Sequence, residues 1–140
     1  MREILFRGKR VSDGEWVYGY YIKADDQGHK YGIHKDCIAG GATTNGSWLV
    51  LHDRYPVVPA TIGQYTGLTD KNGKKIFEGD IVEHHLQGDI LVNRGVVNWD
   101  KEHARWAHQL NTMNPCFALY KPKTFEVIGN IHDNPELIGG

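Results

Sequence analysis

The chain has 140 residues, of which 40% are hydrophobic and 24% charged, a balance that fits an ordinary folded domain and excludes a disordered segment. Sixteen Lys and Arg against seventeen Asp and Glu give a net charge of -1, so no global basic field marks the chain for nucleic acid. No apolar run approaches the roughly 18 residues needed to span a bilayer, and the start Met1-Arg2-Glu3-Ile4-Leu5-Phe6-Arg7 lacks the apolar segment of a signal peptide, so a cytoplasmic protein without membrane association is expected.

Seventeen Gly and seven Tyr favour strands and tight turns over helices, and a mainly β fold is predicted. A chain of this size folds as one domain or as two small subdomains without needing disulfides or metals. Cys37 and Cys116 could pair in principle, but in a cytosolic chain of this size they are read as reduced thiols.

In chain order, Glu3–Val11 and Trp16–Lys23 read as strands separated by Ser12-Asp13-Gly14-Glu15, whose Asp-Gly pair signals a β-hairpin. Period-two geometry sends Trp16, Tyr18, Tyr20 and Ile22 to one face of the second strand. That aromatic ladder is expected to be core, with a stacking platform for bases as the other reading. Ala24–His29 is polar and turn-like, and Tyr31–Ile33 is a short strand. Cys37–Ser47 reads as a loop, with Gly40 and Gly41 ahead of the Asn45-Gly46 turn signal. Trp48–Leu51 is a further strand. Pro56 and Pro59 exclude a central strand over Tyr55–Ala60 and place a boundary there, between a hairpin and loop-rich subdomain at 1–60 and a second unit at 61–140.

From Thr61 the grammar is clearer. Ile62, Gln64 and Thr66 alternate with Gly63 and Tyr65, Thr69–Lys74 turns the chain, and Asn72-Gly73 supplies the positive φ of a tight reversal. Ile76 and Phe77 return, Glu78-Gly79-Asp80 bends the chain, and Ile81–His84 is the next strand. Asp80 is expected to accept hydrogen bonds from local backbone amides. His85–Asp89 reads as a turn, Ile90–Asn93 leads through Gly95 into Val96–Trp99, and Asp100–His103 as a turn before a strand Ala104–His108 suits the meander better than a helix. Asn111–Lys123 reads as a loop with Pro115 and Pro122. Phe125–Gly129 is the last strand, and Asn134-Pro135-Glu136-Leu137 offers a cap and a first-position Pro for a short terminal helical turn.

Four segments in this order carry a family resemblance: Arg2–Lys9; Trp16–Tyr20; Gln64–Gly73 continuing through Ile76–Val82; and Phe125–Ile131 with Asn134–Leu137. Together they resemble the YopX proteins, small proteins of bacteriophages and prophages, over almost the whole chain. The resemblance implies an SH3-like barrel in the C-terminal half, entered near Gly79-Asp80-Ile81-Val82, with the N-terminal hairpin as an extension or small subdomain. It implies no catalytic and no cofactor-binding residues.

The residues themselves offer little chemistry. His34 and Cys37 have a ligand-like spacing, with His84, His85, His103, His108 and Cys116 as completers, but a structural zinc site normally shows two close ligand pairs. Gly41–Gly46 has phosphate-loop spacing, yet Ser47-Trp48 stands where Lys and Ser or Thr are needed. Ser12 and Ser47 lie in no nucleophile elbow, and nearness of His34 to Cys37 in sequence does not establish a nucleophile and base. No enzyme, metal or cofactor is expected. The basic residues Arg7, Lys9 and Arg10, and Lys71, Lys74 and Lys75 beside Tyr65, are the candidate contacts. A protein partner or a second copy of the chain is the leading expectation, and single-strand nucleic acid, read by charge and stacking together, is the other.

Overall fold

The computed structural model describes residues 3–22, 32–43, 46–86, 90–109, 117–119 and 121–139, with side chains described for 3–21, 55–85, 91, 93–109, 117–119 and 121–139. The chain divides into two compact units at Gln64/Tyr65. The described residues hold eleven strands and one four-residue α-helix, so the fold is mainly β, as the Gly and Tyr content predicts.

In the first unit, β1 (Phe6–Lys9) pairs antiparallel with β2 (Trp16–Ile22), in a register running from Phe6↔Gly19 to Lys9↔Trp16. The Asp-Gly signal makes the connection. Gly14 takes φ 74, its N–H donates to the Arg10 carbonyl at 2.8 Å, and the Arg10 N–H donates to the Glu15 carbonyl at 2.9 Å. A positive φ costs Gly little and other residues more. The pair is the middle of a larger sheet and not a lone hairpin. β2 continues to β3 (Gly32–Thr43) and β4 (Gly46–Pro56), and β1 pairs on its other side with the start of β5 (Gly63–Thr69).

This corrects the loop expected over Cys37–Ser47. The two strands run through it, with a register shift between Ala39 and Ala42. Gly40 and Gly41 mark that irregularity, because a bulge absorbs extra residues without ending a strand. Gly32 and Ile33 of the expected Tyr31–Ile33 strand, and Trp48–Leu51, are likewise parts of longer strands, while Tyr31 lies outside the described residues. The proline reading holds: β4 is an edge strand that ends at Pro56, where a missing N–H costs no ladder bond, and Pro59 opens a 3-10 turn (Pro59–Thr61). Thr61 secures that turn, its Oγ1 donating to the Val58 carbonyl at 2.7 Å and accepting from the Lys9 N–H at 2.8 Å.

In the second unit the rest of β5 pairs with β6 (Lys75–Phe77) around the Asn72-Gly73 turn, where Gly73 has φ 80. β7 (Asp80–Leu86), β8 (Ile90–Asp100), β9 (Arg105–Gln109) and β10 (Phe117–Ala118) follow as an antiparallel meander. β11 (Phe125–Asn130) returns beside β7, giving the order β10-β9-β8-β7-β11. Among the described residues no pairing closes this sheet into a ring. Ile76, Val82, Val97, Leu119 and Phe125 form the buried core, with Leu68, Trp106 and Val127 packed against it.

Asp80 does the local work expected of it, accepting the Phe77 N–H at 2.7 Å. The turn and the strand after it also form, one residue later than read: residues 101–104 turn and β9 follows. Two other boundaries differ. His85 lies inside β7 and not in a turn, because pairing with β8 continues past it to Leu86↔Ile90. The segment read as a loop over Asn111–Lys123 contains β10 and a 3-10 turn (Pro122–Thr124), and its residues 111–116 and 120 lie outside the described ones. At the C-terminus α1 (Glu136–Gly139) follows Asn134-Pro135 as read, with the Leu137 N–H donating to the Asn134 carbonyl at 3.1 Å.

Gly95, inside β8, is fixed by close approach. A Cβ there would lie 2.9 Å from the Gln109 backbone nitrogen and 3.0 Å from both the Gln109 carbonyl carbon and His108 Nδ1. Backbone atoms cannot swing away, so Gly95→Ala is expected to cost about 2–3 kcal/mol of unfolding free energy, as overpacked cores do. A urea titration reads it, and an unchanged midpoint would contradict the close approach.

Candidate interaction surface

The first group of sequence-selected cations lies on β1. The register sets Arg7 opposite Tyr18 and Lys9 opposite Trp16, so cations and aromatics share one sheet face. The Arg7 guanidinium lies 4.6 Å over the Trp16 ring and is 6% exposed, and Lys9 Nζ lies 5.5 Å from the same ring. Farther along β2, Tyr18 is 46% and Tyr20 47% exposed.

Tyr18 and Tyr20 of the ladder are therefore not core, contrary to the sequence expectation, while Trp16 is half-buried and the Ile22 side chain lies outside the described ones. The opposite face takes the packing: Phe6 and Tyr21 rings meet at 5.6 Å, Gly19 is buried, and a Cβ on Gly8 would lie 3.1 Å from the Val57 side chain. Arg7 and Lys9 facing Trp16 give that end of the ladder a cation–π layer, with Arg7 buried in it.

Arg10 is used locally. Its Nε donates to Asp13 Oδ1 at 3.0 Å, its Nη2 pairs with Asp13 Oδ2, and the guanidinium lies 5.3 Å over Tyr55. The hydrogen bond from Arg10, with a second from the Glu15 backbone, lowers the Asp13 carboxyl to about 2. Asp13 thus ties the turn to the end of β1.

The second group surrounds the β5–β6 turn. Lys71, Lys74 and Lys75 are exposed. Lys71 Nζ is 3.9 Å from Glu126, and Lys75 Nζ lies 5.7 Å over Tyr65. Tyr65 itself is buried against Phe77 at 5.6 Å. Sequence reasoning missed Lys123, whose Nζ donates to Thr69 Oγ1 at 3.0 Å across 54 residues of chain; no local signal could have placed it there. Asp70 at this turn is buried and structural. Its Oδ1 accepts the N–H groups of Asn72 at 2.8 Å and Lys74 at 2.9 Å, and its Oδ2 accepts that of Val127 at 2.9 Å. The fold thus makes two groups, one in each unit: Arg7, Lys9 and Arg10 with Trp16 and Tyr55, and Lys71, Lys74 and Lys75 with Tyr65.

The histidines divide by environment. His84 stacks on Phe125 at 4.5 Å, and His108 meets the same ring edge-on at 5.1 Å. Burial first, then the neighbouring His84, pushes His108 down to about 4, and burial also lowers His84. His103 Nδ1 sits 2.9 Å from Asp100, and His85 Nε2 is 3.7 Å from both Glu83 and Glu126. Among the described residues no group of three or more His, Cys, Asp or Glu is arranged to hold a metal ion. The side chains of His34, Cys37 and Cys116 lie outside the described ones, as do those of the glycine-rich run to Ser47. No described helix is long and apolar enough to cross a membrane.

These features define an antiparallel β protein with a strand pair that exposes two tyrosines beside a cation–aromatic cluster. The chain belongs to the YopX family: the family described as YopX protein matches residues 5–139, nearly the whole chain. The crystal structure of protein EF1440 from Enterococcus faecalis is similar to it at 27% identity and a TM-score of 0.59, covering 99% of this chain and 100% of that one. No curated protein matches.

Proposed function

We propose that the protein is a non-enzymatic binding module that holds a protein partner on the Trp16, Tyr18 and Tyr20 face of β1–β2. The observation that carries this is the half-exposure of Tyr18 and Tyr20 beside Trp16 and its two cations. Trp, Tyr and Arg are the side chains that dominate protein interfaces, because they bury large rigid surface at little entropic cost. The same face suits single-strand nucleic acid less well. Arg7 is almost fully buried and Arg10 is spent on Asp13, whereas phosphate binding needs cations that reach solvent.

The second unit supports an SH3-like reading, since its strand order places the last strand beside the first of the meander, with a 3-10 turn just before it. Small barrels of this kind serve binding more readily than they enclose chemistry. The setting that accompanies this reading is a phage or prophage gene expressed in the bacterial cytoplasm, with a phage or host protein, or a second copy of the chain, as partner.

Affinity capture from the native host, with and without nuclease, tests the reading against Tyr18→Ala/Tyr20→Ala. A protein held by the wild type and at least about tenfold more weakly by the double variant is expected, since losing interface anchors costs more than about 1.4 kcal/mol. Equal capture by both proteins, or loss on nuclease digestion, would overturn it, and a salt-dependent anisotropy shift with single-stranded DNA would replace it with the nucleic-acid reading.

A further inference from the structure

We propose that β10 is an acid-released latch: protonation of His108 drives Phe117 and its two-residue strand off the edge of β9, while the rest of the β7–β11 sheet stays paired. His108 projects from β9 into the core and is 2% exposed. Its ring meets Phe125 of β11 edge-on at 5.1 Å, Phe117 of β10 at 5.8 Å and His84 of β7 at 6.4 Å. On the β8 side Gly95 comes so close that an added Cβ would stand 3.0 Å from Nδ1.

Among the described residues these rings and Gly95 offer an imidazolium no counter-charge. The titratable group facing His108 from these elements, among the described residues, is His84, which repels it. Glu83 and Glu126 neighbour His84 and Phe125 in sequence, so the pleat turns them to the other face, where Glu83 pairs with Arg94 at 3.1 Å and Glu126 with Lys71 at 3.9 Å. Arg94 and His85 lie in that same outer cluster. β10 brings Phe117 and Ala118, neither of which titrates.

A proton on His108 therefore requires water, and the enclosing elements differ in how readily they admit it. β11 pairs with β7 over six residues and starts from the buried Phe125. Among the described residues β10 is a two-residue edge strand paired through Phe117↔His108 and Ala118↔Ala107, and Phe117 is already 48% exposed. Of these two walls it is the shorter and the more exposed at Phe117, although the adjoining Leu119 is a core residue at 6% exposed, and its release uncovers the β9 edge, whose unpaired N–H and C=O groups can take another strand.

The sign follows from linkage. The closed form holds His108 at about 4, and the hydrated ring titrates near 6.5, so the open form binds more protons between these values. Falling pH then favours opening from about 6.5 downward, and the effect saturates below about 4. From pH 7 to pH 5 the open-to-closed ratio rises about twentyfold.

Amide hydrogen exchange in the full chain, corrected for the intrinsic pH trend, tests this. The Leu119 N–H, which donates to the Trp106 carbonyl at 3.1 Å, reports the latch, and the Val127 N–H on Asp70 reports the remaining sheet. The expected result is a rise of about twentyfold in Leu119 opening from pH 7 to pH 5 with Val127 unchanged. A flat Leu119, or both amides rising together, would overturn the latch. His108→Phe is expected to abolish the pH response. Should that variant fail to fold, ring titration of the wild type decides: Phe117 signals moving with a depressed His108 midpoint support the latch, and an ordinary midpoint or an unresponsive Phe117 refutes it.

Discussion

Asp70→Ala is expected to destabilise the second unit by about 3–5 kcal/mol, the cost of leaving buried donors without a charged acceptor. The carboxylate is 1% exposed and divides its two oxygens between the turn and a distant strand. Oδ1 closes the Asn72-Gly73 reversal through the N–H groups of Asn72 and Lys74, and Oδ2 reaches the Val127 N–H, 57 residues along the chain. The backbone of Asp70 strengthens the same turn, its N–H donating to the Lys74 carbonyl at 2.8 Å. Alanine removes three acceptances and lets no water replace them at once.

Asp70→Asn separates charge from geometry. One amide oxygen can serve either the turn or Val127, and the NH2 group then faces an N–H it cannot accept, so an intermediate loss of about 1–3 kcal/mol is expected. Urea titration gives both values, and exchange of the Val127 amide tells which contact Asn gives up. A loss below about 1 kcal/mol for Asp70→Ala would show that water already shares these bonds.

Asp70 also shows what the sequence can and cannot convey. Asn72-Gly73, Asp80 after Gly79, and Asn134-Pro135 act within four residues of themselves, and each was legible because turn chemistry is local. The partner of Asp70 in β11 was not, since no spacing rule links residues 57 apart. The ladder of Trp16, Tyr18 and Tyr20 was legible as one face of a strand but not as an exposed one. Burial depends on which side of the sheet finds Val57 and Tyr21, and alternation is the same for both. The run from Gly40 to Gly46 misled for the opposite reason. Its glycines are turn formers in isolation, but a twelve-residue strand with a bulge satisfies more backbone groups than a loop would. Arg7 and Lys9 can be placed near aromatics from the sequence, yet only the register shows that Trp16 receives them both.

Phe125→Ala is expected to be comparably damaging, at about 3–5 kcal/mol, and to change how the protein responds to acid. Phe125 is a fully buried core side chain and also the wall shared by His84, stacked at 4.5 Å, and His108, edge-on at 5.1 Å. Removing the ring takes away packing and opens room for water beside both imidazoles. In the wild type, His108 held at about 4 costs up to about 2 kcal/mol of stability between pH 7 and pH 5, because the unfolded chain binds a proton there that the closed sheet refuses. This is a ceiling, since release of β10 relieves part of it. In Phe125→Ala a hydrated His108 titrates closer to its ordinary value in the folded state, so the same pH step is expected to cost less than half as much. Urea titrations of both proteins at pH 7 and pH 5 provide the comparison. Equal pH sensitivity in the two would mean that the enclosure of His108 is set by Gly95 and Phe117 alone, and that the shared Phe125 wall contributes packing without tuning the imidazole.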